Sequence, residues 1–92
     1  MNGGNDDSYY GPVVQTSKNT VDLRGMRLEE AAIHLEMAIS ASQPYSVLFV
    51  IHGMGTGAVK DRALAILQKH PRVTHFEPES PMNYGCTIAR VK

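Results

Sequence analysis

Five consecutive β-formers, Val47-Leu48-Phe49-Val50-Ile51, constrain this chain more than any other feature. An apolar run without polar alternation suits a central strand buried on both faces, so the fold needs a sheet with apolar cover. No apolar stretch in the chain is longer than these five residues, far short of the ~20 that a bilayer-spanning helix requires. A transmembrane helix is therefore excluded. His52 follows directly, then Gly53-Met54-Gly55-Thr56-Gly57, then a helical pattern with Val59, Ala63, Ile66, Leu67 and His70 on one face, closed by Pro71.

The flanking segments extend this unit in both directions. From Thr20 to Leu23 apolar and polar residues alternate, predicting a short strand that Gly25 ends. Leu28, Ala31, Ala32, Leu35 and Ile39 then mark one stripe of a helix running to about Ser42, with Glu29 and Glu30 at its dipole-favoured start and Pro44 beyond its end. Val73 to Glu77 and Cys86 to Val91 read as two further strands, separated by a long hairpin-type loop through Pro78, Ser80, Pro81, Asn83, Tyr84 and Gly85. The order is βαβαββ. It predicts an α/β two-layer sandwich, with a mixed four-stranded sheet and two helices. Each strand–helix–strand passage implies parallel neighbours joined by a right-handed crossover, and the last two strands pair antiparallel. Two helices leave one sheet face partly open.

Ninety-two residues hold one compact domain. Residues 1–18, rich in Gly, Asn, Asp and Ser, read as a flexible leader or linker, and residues 19–92 as the domain. The glycines follow no period, no heptad is sustained, and the single cysteine, Cys86, has no partner, which removes collagen, coiled coil and disulfide scaffold together. With no apolar h-region near the N-terminus, the expected setting is intracellular and reducing. Nine Lys/Arg balance nine Asp/Glu. From residue 18 onward the balance is nine to seven, too weakly basic for strong non-specific phosphate binding.

The candidate site follows from topology. Asp22-Leu23-Arg24-Gly25 ends the first strand and His52-Gly53-Met54-Gly55-Thr56-Gly57 ends the second. Parallel strands bring both segments to one sheet edge, where ligands of open α/β sheets collect. Glycine-rich backbone leading into a helix N-terminus favours phosphate, Thr56 adds a hydroxyl, Arg24 a planar fork of donors, and Lys60 a cation in the first helical turn. His52 can move a proton near neutral pH. Asp22 can orient a histidine, pair with Arg24, or ligate a metal. Each has a plainer reading: His52 as a satisfied structural histidine, Asp22 and Arg24 as a mere pair, Glu29 and Glu30 as helix-start residues. GxGxG alone is a weak signal, too short a context for a dinucleotide fold and without the Lys-Ser/Thr ending of a P-loop. His34, His70 and His75 follow no zinc spacing. Cys86 is expected to pack as a small hydrophobe, and Met26, Met37 and Met82 to fill core or rim.

Taken together, Asn19-Thr20-Val21-Asp22-Leu23-Arg24-Gly25, Glu29-Glu30-Ala31, Val50-Ile51-His52-Gly53-x-Gly55-x-Gly57, His70-Pro71-x-Val73 and Gly85-x-Thr87 resemble the Smr (small MutS-related) domain family over residues 19–92. The first run looks most like the version at the C-terminus of MutS-type ATPases that restrain recombination. The resemblance implies a fold like the C-terminal domain of translation initiation factor three, nucleic-acid binding and, in many members, endonuclease activity. It assigns cleavage to Asp22 and Arg24, and binding and activity to His52, Gly53, Gly55 and Gly57. Met54 departs from a frequent lysine, and Cys86 from a small or aliphatic residue. The expectation is a nicking endonuclease with Asp22, Arg24 and His52 catalytic. Arg24, Gly53, Gly55, Thr56, Gly57 and Lys60 face the phosphates, within a larger MutS-type ATPase acting on structured or branched DNA. No cofactor is required by the motifs, although a divalent ion such as Mg fits a nuclease; a two-metal site needs more convergent carboxylates than this edge offers. RNA is the easier substrate without metal, because its 2′-hydroxyl can attack. The alternative is a non-catalytic module that docks a larger ATPase onto DNA, RNA or a ribosome.

Overall fold

The computed structural model describes residues 14–54 and 57–92. Most of the leader, and Gly55 and Thr56 of the glycine loop, lie outside the described residues. The elements are β1 (Thr20–Asp22), α1 (Leu28–Ala41), β2 (Ser46–Ile51), α2 (Ala58–Lys69), β3 (Val73–Ser80) and β4 (Asn83–Val91). Ahead of β1, Thr16 caps a single 3-10 turn, Ser17–Asn19. Its hydroxyl accepts from Lys18 N–H at 3.2 Å, and Asn19 Oδ1 accepts from Thr16 N–H at 2.7 Å. The end of the expected leader is thus folded back on itself.

The four strands form one mixed sheet in the order β1-β2-β4-β3. β1 runs parallel to β2, with Asp22 opposite Ile51, while β4 runs antiparallel to both β2 and β3. The α/β mixed sheet with two helices agrees with the sequence reading. One neighbour relation differs: β3 is parallel to β2 but does not touch it, because β4 inserts between them. The hairpin differs too. The expected loop from Pro78 to Gly85 is mostly strand, and the chain reverses at Pro81-Met82. Pro78 is tolerated because β3 is an edge strand, where a missing N–H faces no neighbour.

Side chains alternate across the sheet, so each strand serves two environments. Leu48, Val50, Ala89 and Val91 pack with Leu35 and Ile39 of α1 and Ala63 and Leu67 of α2. The opposite face carries a smaller cluster of Val47, Phe49 and Cys86, flanked by Ile51 and Ile88. Cys86 therefore packs as expected, and Met26 joins the main core. Met37 and Met82 do not: they are 62% and 88% exposed, Met37 on the outer side of α1 and Met82 at the hairpin tip. Leu28, expected on the buried stripe, is also exposed. It opens the helix before the stripe reaches the sheet.

One side chain that sequence reading passed over ties the layers together. The Arg72 guanidinium donates to the carbonyls of Ile39 (2.9 Å), Ser40 (3.3 Å) and Ser42 (2.9 Å) at the end of α1, and to Lys92 (2.8 Å). Carbonyls at a helix C-terminus have no intrahelical partner, and a fixed positive charge complements the dipole there. Among the described residues, no helix is long and apolar enough to cross a membrane.

Candidate nucleic-acid interface

The edge that holds the site is built by three strand ends. Leu23 N–H still bonds Ile51 O at 2.7 Å beyond the last residue of β1, which carries the chain past β2 before it turns at Gly25 (φ 78°). Within that turn Asp22 grips Arg24 three ways. Its Oδ1 accepts from the Arg24 backbone N–H and from Nε, both at 3.0 Å, and its Oδ2 accepts from Nη2 at 2.7 Å. These bonds hold the Asp22 carboxyl down at about 2, with the side-chain bond the larger cause, and they raise Arg24. Planar fork meets planar carboxylate, so the guanidinium has a fixed direction while staying largely exposed.

Gly53, with φ 86°, lies directly against the stem of Arg24. A Cβ there would come within 3.3 Å of Arg24 Cγ. The third strand end is β4. Gly85 O accepts the N–H of both His52 and Gly53 at 3.0 Å, which pins the start of the glycine loop to the sheet. A Cβ on Gly85 would sit 2.8 Å from Met54 Cγ and 3.4 Å from the Gly53 carbonyl carbon. Asn83 Oδ1 accepts from Gly85 N–H at 3.0 Å, and its amide donates to Glu79 at 2.5 Å. The result is an open crevice of about 400 Å³ lined by Arg24, Gly53, Met54, Glu79, Gly85 and Cys86, among others. Burial and the nearby Glu79 push the Cys86 thiol up, so it stays protonated.

The imidazole takes a different place. Asp22 pairs with Ile51, on the face of Phe49 and Cys86, whereas His52 belongs to the alternate face with Val50. Its ring is buried, with Nε2 2.8 Å from Thr87 Oγ1 and Nδ1 3.1 Å from Gly53 O. A carbonyl can only accept, so Nδ1 carries the proton and Nε2 accepts from the Thr87 hydroxyl. Burial pushes the His52 pKa down and the charge of Lys60 adds to that, against the Gly53 carbonyl. The ring is neutral and both nitrogens are engaged.

Asp22, Arg24 and Gly53 are therefore brought together; His52 shares their sheet edge but projects from the other side of the sheet. Gly57 (φ 100°) begins α2 without a side-chain cap. The first-turn amides of α2 consequently remain the natural anion donors, since those of His52 and Gly53 are taken by Gly85. Lys60 stands over the ring of Tyr84, its Nζ 5.7 Å from the centroid. Thr87, Asn83 and the structural use of Gly85 escaped the site reading because they depend on which strand lies beside β2. Among the described residues, no group of three or more His, Cys, Asp or Glu is arranged to hold a metal ion.

Comparison with known proteins agrees with the fold. A family model described as the Smr domain matches residues 21–92. Endonuclease MutS2 of a Synechocystis species is 39% identical over 82 residues, which cover 87% of this chain and 10% of that protein. Endonuclease MutS2 of Staphylococcus aureus is 37% identical over 82 residues, covering 85% and 11%. The chain thus spans about a tenth of the length of these relatives. The crystal structure of the Smr domain of Thermus thermophilus MutS2 superposes with a TM-score of 0.73 at 28% identity, over 80% of this chain and 98% of that one.

Proposed function

This chain belongs to the Smr domain family, and from that premise we infer that it is a nucleic-acid endonuclease domain that nicks phosphodiesters in structured or branched DNA. The observation that carries the reading is the Arg24 fork, fixed by Asp22 and pressed against Gly53 at the mouth of the crevice. Two of its donors are spent on Asp22. The rest face outward, where a phosphodiester's two non-bridging oxygens fit. Lys60 and the first-turn amides of α2, which Gly57 opens, approach the same edge from the other side. Charge building on the phosphorus oxygens in the transition state is met by donors already in place, the largest catalytic contribution in most enzymes.

Within this mechanism Asp22 is a positioning residue. A carboxyl held near 2 is a feeble base at neutral pH, and its lone pairs are already engaged by Arg24. His52 likewise acts through Gly53: its Nδ1–H fixes the carbonyl of the first loop glycine, and so the path of the loop. No step is routed through a metal, for which the described residues offer no ready cluster. The attacking water would be oriented by the phosphate and the fork, its new P–O bond replacing the bond to one sugar oxygen, with a water proton passing through a phosphate oxygen to that leaving oxygen. The domain would work as one part of a larger MutS-type ATPase, whose other domains would supply the affinity that a neutral chain lacks.

One observation favours a second reading, a non-catalytic DNA- or RNA-binding module: neither His52 nor Asp22 presents a free proton acceptor in the crevice. The two readings separate on incubating the domain with supercoiled plasmid, a branched DNA junction and structured RNA, beside Asp22→Ala, Arg24→Ala and His52→Ala. Nicking by the parent chain that is lost in Arg24→Ala supports the endonuclease. Binding without nicking supports the module, and cleavage surviving all three substitutions points to a contaminant.

A further inference from the structure

A hollow that adjoins the crevice at Glu79 carries an aromatic side chain that neither apolar cluster uses. Tyr84 sits one residue before Gly85, whose carbonyl holds the glycine loop, and it stays 49% exposed even with the Lys60 ammonium over its ring. Met54, 69% exposed, lies against Gly85, the next residue along the strand, and Met82 at the hairpin tip is 88% exposed. The ring therefore presents a free face to solvent within reach of the crevice that Arg24 lines. The surrounding charge is also wrong for a purely electrostatic groove, since Glu77 and Glu79 flank the ring and the chain is neutral overall. What an exposed ring, an adjacent thioether and one cation fit is a nucleotide taken out of its stack: the base on the ring, its phosphate on the ammonium.

We propose that Tyr84, with Met54 and Lys60, forms a stacking subsite for an unpaired nucleobase next to the phosphodiester held by Arg24. This rests on the nucleic-acid reading above and names its substrate class: strands with unstacked bases at gaps, flaps or junctions, read without sequence preference because every base has a π-face. The Lys60–Tyr84 contact is the unliganded form of the subsite. An exposed cation–ring pair is weak enough for the ammonium to transfer to an incoming phosphate and leave the ring to the base.

The test uses the 92-residue chain with equal-length DNA substrates, one fully paired and one with a short single-stranded gap holding 2-aminopurine, and a matching RNA arm. The parent chain should prefer the gapped substrate and quench the 2-aminopurine fluorescence in at least one arm. Tyr84→Leu should lower that preference about tenfold and abolish the quench, and Tyr84→Phe should keep both within about twofold, as loss of one stacked base predicts. Thermal melts of both variants establish that they fold. A parent chain that binds both substrates equally, or a Tyr84→Leu variant that keeps preference and quench, overturns the subsite and leaves the nucleic-acid reading standing. A parent chain that binds neither substrate overturns both.

Discussion

Replacing Thr87 with valine tests whether His52 is a held structural histidine. The substitution keeps the β-branched shape and volume but removes the hydroxyl that donates to His52 Nε2 at 2.8 Å. Both residues are buried, 4% and 6% exposed, so water cannot take the place of the hydroxyl without opening the sheet. Leaving one buried acceptor unpaired costs about 1–3 kcal/mol, and relief from burying the hydroxyl itself puts the net near the lower half, roughly 1–2 kcal/mol. For a domain of this size that is a fall of roughly 4–16 °C in Tm. Urea unfolding at pH 7.5 and pH 5.0 provides the second axis. Because burial lowers the His52 pKa, the unfolded chain takes up the proton first. Stability is therefore fully present above about 6.5 and declines as the pH falls from there toward the folded-state value. The His52 share is the part of the slope that disappears in His52→Asn, whose amide can still donate to Gly53 O. A Thr87→Val protein as stable as the parent, or a pH slope unchanged in His52→Asn, would show that the imidazole is not held as described.

Arg72→Met should lower stability by about 2–3 kcal/mol, from two part-buried charged hydrogen bonds and the helix-end charge, with Arg72→Lys restoring less than half; urea midpoints measure both. Arg24→Lys should leave the melting temperature nearly unchanged while reducing nicking by about a hundredfold, because a point charge cannot reproduce the fork that Asp22 holds; plasmid-nicking rates check it. Gly53→Ala should cost about 1–2 kcal/mol, since it places a Cβ at φ 86° and 3.3 Å from Arg24, and it should also weaken nucleic-acid binding by displacing that arginine. Equal binding by a folded Gly53→Ala protein would argue against the close packing of the two segments.

How far the sequence could be read depended on how local each determinant is. The apolar run 47–51, the stripe through Leu35 and Ile39, and the breaks at Pro44 and Pro71 are written in neighbouring residues, so β2, α1 and α2 were legible. So was the meeting of Arg24 with Gly53, because parallel pairing of β1 and β2 brings their ends to one edge whatever else the sheet does. The place of β4 is not local. Nothing in Val73–Val91 states whether β3 or β4 lies beside β2, and the partners of His52 hang on that choice. Alternation over residues 20–23 was visible too, yet its consequence for Asp22 and His52 needs the register Asp22–Ile51, which only pairing fixes. A period of two made a shared edge predictable and a shared face not.

The insertion of β4 also explains what holds His52 and Gly53 at the start of the glycine-rich segment. A loop of this composition has unusually high conformational entropy, and its own side chains offer little to hold it. The anchoring is placed in the sheet instead. β4 enters antiparallel with its N-terminal end at the site edge, so Gly85 O meets the N–H groups of His52 and Gly53, while Thr87, two residues on, reaches the imidazole. The imidazole in turn ties the Gly53 carbonyl, so the first loop glycine is bonded at both its N–H and its C=O. Gly85 must itself be glycine-small for this, since any side chain there would meet Met54 and the Gly53 backbone. The motif histidine thus fixes the loop's first peptide, which leaves the guanidinium of Arg24, held from the other face of the same edge, as the group that would meet a phosphate under the proposed function.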